Sequence, residues 1–243
     1  MIRLPLEAPN VGHRLLPAPA ARYVARVLRA RIGDAVEVFD PRTGDVASAT
    51  VTALDREAVA LSIGPVSRGL HAARAIVLVQ GYPKGDKLGD IARDATELGA
   101  TAIVPAICAR SIARPEPTKS TSKLARLEAI VREAARQAGR TRAPDVLAPM
   151  PWIDALAMAR AQASIAFVFW EHATATANEE LVEACRTNAS IAIAIGPEGG
   201  LDEDEIAIAE KAGFLVRSLG PTILRTETAA TAVLGAIALL STT

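Results

Sequence analysis

The chain has 243 residues, 50% of them hydrophobic, and its 27 Lys+Arg are balanced by 27 Asp+Glu. That length admits one large domain or two smaller ones with a real core, and a zero net charge names no partner by itself. Cys108 and Cys185 form no CxxC pair, the three histidines are scattered at 13, 71 and 172, no apolar run nears membrane-spanning length, and "MIRLPLEAPN" lacks the regions of a signal peptide; no metal is expected, and a cytoplasmic location is.

Residues 1 to about 70 read as a small module of short strands. "APAARYVARVLRARIGD" predicts a helix with Tyr23, Val24, Val27 and Leu28 as its apolar stripe and Gly33 as its stop. "DAVEVFD" alternates, "PRTGD" supplies a turn, and "VASATVTAL" and "AVALSI" continue as strands. "GPVSRGLHAAR" reads as a linker.

From residue 74 the rhythm becomes strand and helix in alternation. "AIVLVQ", "TAIVPAI", "SIAFVFW", "SIAIAIG" and "FLVRSLG" are predicted strands. Between and after them, helices are predicted in "KGDKLGDIARDATELGA", "SKLARLEAIVREAARQAG", Trp152 to Ala161, "NEELVEACR", "DEDEIAIAEKAG" and "TETAATAVLGAIALL". Such alternation indicates an α/β domain over 74–243, a mainly parallel sheet covered by helices on both faces. The last helix is apolar nearly all round, more than one sheet face can bury, so part of it is expected to meet a second copy.

Two strand ends share an unusual chemistry: "IAIAIGPEGG" and "FLVRSLGPTILRTETAA" both close on Gly-Pro. In open parallel sheets ligands sit outside the carboxyl ends of the strands. Two such turns can line a slot that presents backbone groups to a flat ligand, although Gly-Pro also simply breaks strands. No GxxxxGK[ST] or strand-linked GxGxxG is present, and Glu198, Asp202, Glu203, Asp204 and Glu205 would repel phosphate. Asp202 and Glu205 have capping-box spacing. A cationic ligand, or an uncharged adenine and ribose, suits the turn better.

"IGPEGGLDEDEI" together with "LGPTILRTETA" resembles the RsmE family, the small-subunit (16S) ribosomal RNA uridine-N3 methyltransferases of the SPOUT superfamily. The likeness extends to "PKGDKLGDIARDATELGA", "EAARQAGRTRAP" and "YVARVLRARIGD", and so covers nearly the whole chain. It implies a PUA-like β-barrel RNA-binding domain over 1–70 and a SPOUT methyltransferase domain over 74–243, threaded as a trefoil knot and working as a homodimer. It implies S-adenosylmethionine as cofactor, held by Ile195, Gly196, Pro197, Glu198, Gly199 and Gly200 on one wall. Leu219, Gly220, Ile223, Leu224 and Arg225 form the other wall, with Thr228 just beyond. A branched side chain at Gly199 or Gly220 is then expected to fill ligand space. Three places depart from the family pattern: Thr222 stands where arginine is usual, Arg136 and Ala138 where an acidic or amide residue and a cysteine are common, and Arg22-Tyr23 where histidine is frequent.

The partner implied is small-subunit rRNA, free or in the assembled 30S subunit. Between residues 105 and 142 nine Lys/Arg face only Glu116, Glu128 and Glu133, an excess of six positive charges in a neutral chain. Arg110, Arg114, Lys119 and Arg140 from this stretch, with Arg22, Arg26 and Arg29 from the first module, are the candidate phosphate contacts. With two Trp, two Tyr and four Phe, recognition by rows of stacked aromatics is disfavoured. Arg225 is the candidate for stabilising charge on the base, with Glu227 beside it as the second catalytic candidate; capping and helix-dipole roles are the alternative for Thr226 and Glu227. A SPOUT enzyme acting on tRNA and a non-catalytic RNA-binding protein are the competing functions.

Overall fold

The computed structural model describes residues 2–40, 43–55, 58–68, 74–112 and 120–241, the side chains of residues 26, 27, 68 and 120 excepted. The chain divides into two compact units, Met1–His71 with Ala135–Ala143, and Ala72–Ala134 with Pro144–Thr243.

The first unit is built on five strands: β1 (Ile2–Pro5), β2 (Gly12–Leu15), β3 (Ala35–Phe39), β4 (Asp45–Leu54) and β5 (Val59–Arg68), in spatial order β1-β3-β4-β5-β2. β1 runs parallel to β3, and the other pairs are antiparallel. Alternation buries one face of each strand, Val36 and Val38, Ala47, Ala49 and Val51, then Val59, Leu61 and Ile63, in one core with Ala21 and Val24. Ala21 comes from helix α1 (Ala18–Arg22), which opens on proline, and Val24 from the π-helical turn over Tyr23–Val27 into which it widens. The segment expected as a linker is partly strand: Val66, Ser67 and Arg68 pair with Ala47, Val46 and Asp45, extending β5 to match the ten-residue β4. β1 and β2 are too short and weakly patterned to stand out in the sequence. In the stretch Ala135–Ala143, Gly139 turns at φ +74° and the Arg136 guanidinium lies 5.7 Å from the centre of the Tyr23 ring. Two departures from the family pattern are thus in contact with each other.

The second unit holds a wholly parallel sheet. Its strands are β6 (Ile76–Gly81), β7 (Ala102–Ile107), β8 (Asp145–Val146), β9 (Met150–Pro151), β10 (Ile165–Phe169), β11 (Ile191–Ile195) and β12 (Leu215–Arg217). Their order is β12-β10-β11-β6-β7-β8, with β9 also on β7. Every residue of β6 and β11 is buried, which is why these strands read as unbroken apolar runs. The helices are α2 (Lys87–Glu97), α3 (Ser120–Gln137), α4 (Trp152–Ala161), α5 (Asn178–Arg186), α6 (Glu203–Lys211) and α7 (Thr226–Leu240). α4 and α6 share one core with Val77, Val79, Val104 and Ala194, through Trp152, Leu156 and Ile206. α7 packs against α2 and α5, burying Ala230, Val233, Leu234 and Ile237 while Leu239 stays 76% exposed. Among the described residues no helix is long and apolar enough to cross a membrane, and no group of His, Cys, Asp or Glu could hold a metal ion.

Candidate active site

The two Gly-Pro turns leave the carboxyl ends of β11 and β12 and face each other across a cleft of about 430 Å³. One wall is Ile195, Gly196, Pro197, Glu198 and Gly200 with Leu201; the other runs from Ser218 through Leu219, Gly220, Pro221, Thr222, Ile223 and Leu224 to Arg225, Thr226 and Ala229. Phe169, Trp170 and Glu171 from the end of β10, and Lys87 from α2, complete it. The cleft thus sits where an open parallel sheet places its ligands.

The glycines serve two different ends. Gly200 and Gly220 take φ +72° and φ +120°, which side chains rarely adopt. Gly199 instead permits close approach: a Cβ there would meet Arg110, not the cleft, which corrects the expectation that its side chain would fill ligand space. At Gly220 a Cβ would meet no atom within 4 Å. Gly199 and Thr228 are not among the residues lining the cleft, nor is Glu227; the other predicted cofactor residues are.

The segment after β6 seats the first turn, a role for which the sequence offered no pattern. A Cβ on Gly81 would stand 2.4 Å from the Pro197 nitrogen, so only glycine lets strand and turn meet. The Lys84 N–H donates to the Glu198 carboxylate at 3.2 Å, and the Lys87 ammonium bridges Glu198 at 3.2 Å and Glu227 at 3.4 Å. Partial burial pushes the Glu198 carboxyl up, but its own backbone N–H, Lys87 and Lys84 outweigh that and hold it below the usual range. The Glu198 bond raises the Lys87 pKa. Glu227, in the first turn of α7, is thus held in an ion pair with Lys87.

Two of the acids that follow the turn, Asp202 and Glu205, are structural, as their spacing predicts. The Asp202 side chain accepts from the Glu205 N–H at 2.8 Å and Glu205 accepts from the Asp202 N–H at 3.1 Å, a capping box. Buried Glu205 also accepts from the Ala109 N–H at 2.8 Å, which anchors the loop carrying Arg110. Arg110 in turn donates to the Gly199 carbonyl at 3.3 Å.

Arg225 is exposed, lines the cleft just before α7, and accepts from the Ala229 N–H through its carbonyl at 2.8 Å, while its guanidinium has no hydrogen bond or ion pair among the described residues. Glu171 is likewise an exposed carboxylate at the cleft with no such partner. Ile223 shows 83% of its surface. Of the RNA candidates, Arg22, Arg29 and Arg110 are exposed and Arg140 half-buried; Arg114, Lys119 and the Arg26 side chain lie outside the described residues.

Residues 71–238 match the model of an RNA methyltransferase domain and residues 16–64 that of an RNA methyltransferase PUA domain. Fold and cleft together thus define an RNA methyltransferase with an N-terminal PUA-like unit. The chain is 34% identical to the ribosomal RNA small subunit methyltransferase E of Synechocystis, over 88% of this chain and 69% of that one. It is 30% identical to the Bacillus subtilis protein of that name, over 95% and 90%. A crystal structure of the Neisseria gonorrhoeae ribosomal RNA small subunit methyltransferase E bound to S-adenosyl methionine superposes with a TM-score of 0.84 at 30% identity, covering 99% of this chain and 98% of that one. The chain belongs to the ribosomal RNA small subunit methyltransferase E family.

Proposed function

We propose that the protein transfers the methyl group of S-adenosylmethionine to N3 of one uridine of small-subunit rRNA. The observation that carries this is the cleft between the two glycine turns, with the unpaired Arg225 guanidinium at its wall. The cleft's chemistry fits the cofactor: the carboxylates of Glu171 and Glu198 line it, and it has no phosphate cradle, which suits a sulfonium carrying an ammonium group. Ile195, Gly196, Pro197, Glu198, Gly200, Leu219, Gly220, Ile223 and Leu224 are the residues proposed to hold it. When bound, it supplies an electrophilic methyl on sulfur.

Uridine N3 carries a proton and lies on the pairing edge, so the base must be unpaired or extruded to be reached. Arg225 then offsets the negative charge left on the uracil when the N3 proton passes to solvent water, which frees the N3 lone pair to take the methyl. Exposed Arg22, Arg29 and Arg110, with Arg140, are proposed to contact RNA phosphates. The trefoil threading, a homodimer through part of α7 and work in the cytoplasm belong to the same reading; a monomer in sedimentation at micromolar concentration would remove the dimer from it.

The test is methylation by the purified protein, with labelled S-adenosylmethionine, of free 16S rRNA, assembled 30S subunits and tRNA in parallel. A single reverse-transcription stop at a uridine of the small-subunit RNA, absent in RNA from a deletion strain and restored by the protein, is expected. Label in tRNA alone, or no binding of S-adenosylmethionine, overturns the proposal.

A further inference from the structure

The two walls of the cleft are tied by one chain of hydrogen bonds that starts in the sheet. Gln80, next to last in β6, is fully buried, and its amide nitrogen donates to Thr226 Oγ1 at 2.8 Å. With that oxygen accepting, the hydroxyl's one proton goes to the Gly196 carbonyl, at 2.6 Å. The same amide nitrogen lies 3.1 Å from the Gly81 carbonyl and 3.4 Å from that of Gly196. Gly196 belongs to the first turn, and Thr226 is the first residue of α7, directly after the second. Neighbouring Gly81 presses on Pro197 from the same strand end.

The amide is an expensive choice for a fully buried position. Its own Oε1 is buried with no hydrogen-bond partner among the described residues. A buried acceptor left unmade is destabilising, and an apolar residue of that size would avoid it. What the apolar residue would lack is the donor that orients Thr226.

We propose that Gln80 and Thr226 are positioning residues for cofactor binding, a tie that sets the spacing of the two turns; this rests on the cleft's being the S-adenosylmethionine site. Gln80 is not among the cleft-lining residues, so it acts through Thr226 and Gly196. Hydrogen bonds in series polarise one another, so the two side chains act as a unit.

The experiment is calorimetric binding of S-adenosylmethionine with single-turnover methylation on wild type, Thr226→Val, Thr226→Ser, Gln80→Leu and the double variant Gln80→Leu/Thr226→Val. Thr226→Val is expected to weaken binding roughly five- to tenfold, the scale of one net hydrogen bond, with a smaller change in the rate at saturation. Thr226→Ser, which keeps the hydroxyl, should recover most of the affinity. Gln80→Leu should match Thr226→Val, and the double variant should lose no more than either single one. Gln80→Met, closer in shape to glutamine, stands in where the Leu variant does not fold. Wild-type affinity in a folded Gln80 variant, or losses that add in the double variant, overturns the tie. Failure of the wild type itself to bind S-adenosylmethionine overturns instead the reading beneath it.

Discussion

A Cβ atom on Gly199 would stand 2.9 Å from both the Cβ and the carbonyl oxygen of Arg110. The glycine is there so that the first turn can rest on the loop after β7. Gly199→Ala is therefore expected to part turn from loop, lowering both the melting temperature and the affinity for S-adenosylmethionine. Gly220→Val differs, because its side chain enters open space, at φ +120°, on a lining residue of the cleft. It should weaken binding in a chain that still folds, with backbone strain of about 1–3 kcal/mol. Paired melting curves and calorimetry separate the cases; a Gly199→Ala chain with unchanged melting would overturn the contact's importance.

Arg225→Ala should lower the chemical step far more than cofactor affinity. Losing one preorganised charge-stabilising donor typically costs about 10²–10³ in turnover. Arg225→Lys should rescue only in part, since an ammonium lacks the planar fork of the guanidinium. The measurement is single-turnover methylation at saturating rRNA and S-adenosylmethionine. A wild-type rate in the saturated Ala variant would make Arg225 a binding residue only.

Removing the capping-box acids should separate a simple cap from a cap with a second task. Asp202→Ala loses the N-cap of α6, about 1 kcal/mol. Glu205→Ala also leaves the Ala109 N–H without its partner, adding about 1 kcal/mol, the scale of one net hydrogen bond, since Ala109 is exposed and water can reach the freed donor. Chemical denaturation of both variants checks the order. Equal losses would mean that the Ala109 contact contributes nothing.

The bridge from Lys87 to Glu198 has a definite pH window. Glu198 titrates below its ordinary 4.5 in the folded chain, so its contribution is present above the unfolded pKa and disappears as pH falls through the folded one. Lys87 titrates above its ordinary 10.5, so its contribution is present below that value and lost as pH rises through the folded one. Glu198→Gln should thus be less stable than wild type near neutrality, with the gap closing in acid. Because the Lys87 side chain is only partly buried, the gap should also shrink in high salt. Melting temperatures across pH and ionic strength test this, and a gap independent of both would exclude the ion pair as its source.

Both thiols are buried, and burial first, then the Glu205 carboxylate, pushes the Cys108 thiol well above its usual range. Cys108 should resist alkylation in the native protein at neutral pH and react once the chain is unfolded. Rapid native labelling at Cys108, located by mass spectrometry, would contradict this.

The elements visible in the sequence were those with a period. The runs of β6 and β11, the stripe of α2 and the full span of α7 are written in apolar spacing, and the paired Gly-Pro turns marked the cleft before any coordinate did. β8 and β9, with two residues each, carry no period at all. Within the site, the turn residues were legible because glycine and proline are unusual at strand ends. Gln80, Glu171 and Trp170 were not, because each is an ordinary residue at the end of an ordinary strand, and only the sheet order brings Glu171 and Trp170 to the cleft and Gln80 beneath its turns. Gly199 shows the limit from the other side: its presence in the motif was readable, but the direction its missing side chain would take was not.

The membership of Ala135–Ala143 in the first unit bears on how the chain is made. A ribosome releases the strands of that unit early, yet the stretch that completes it begins in the last turn of α3, after β6, α2 and β7 have already emerged. The last contacts of the small unit are therefore made only after much of the second unit's sequence has emerged. The full set of its contacts needs the chain as far as residue 143, so synthesis of the two units overlaps. A fragment cut at residue 71 is an unfinished unit, and any swap of N-terminal modules between relatives has to carry two pieces of chain.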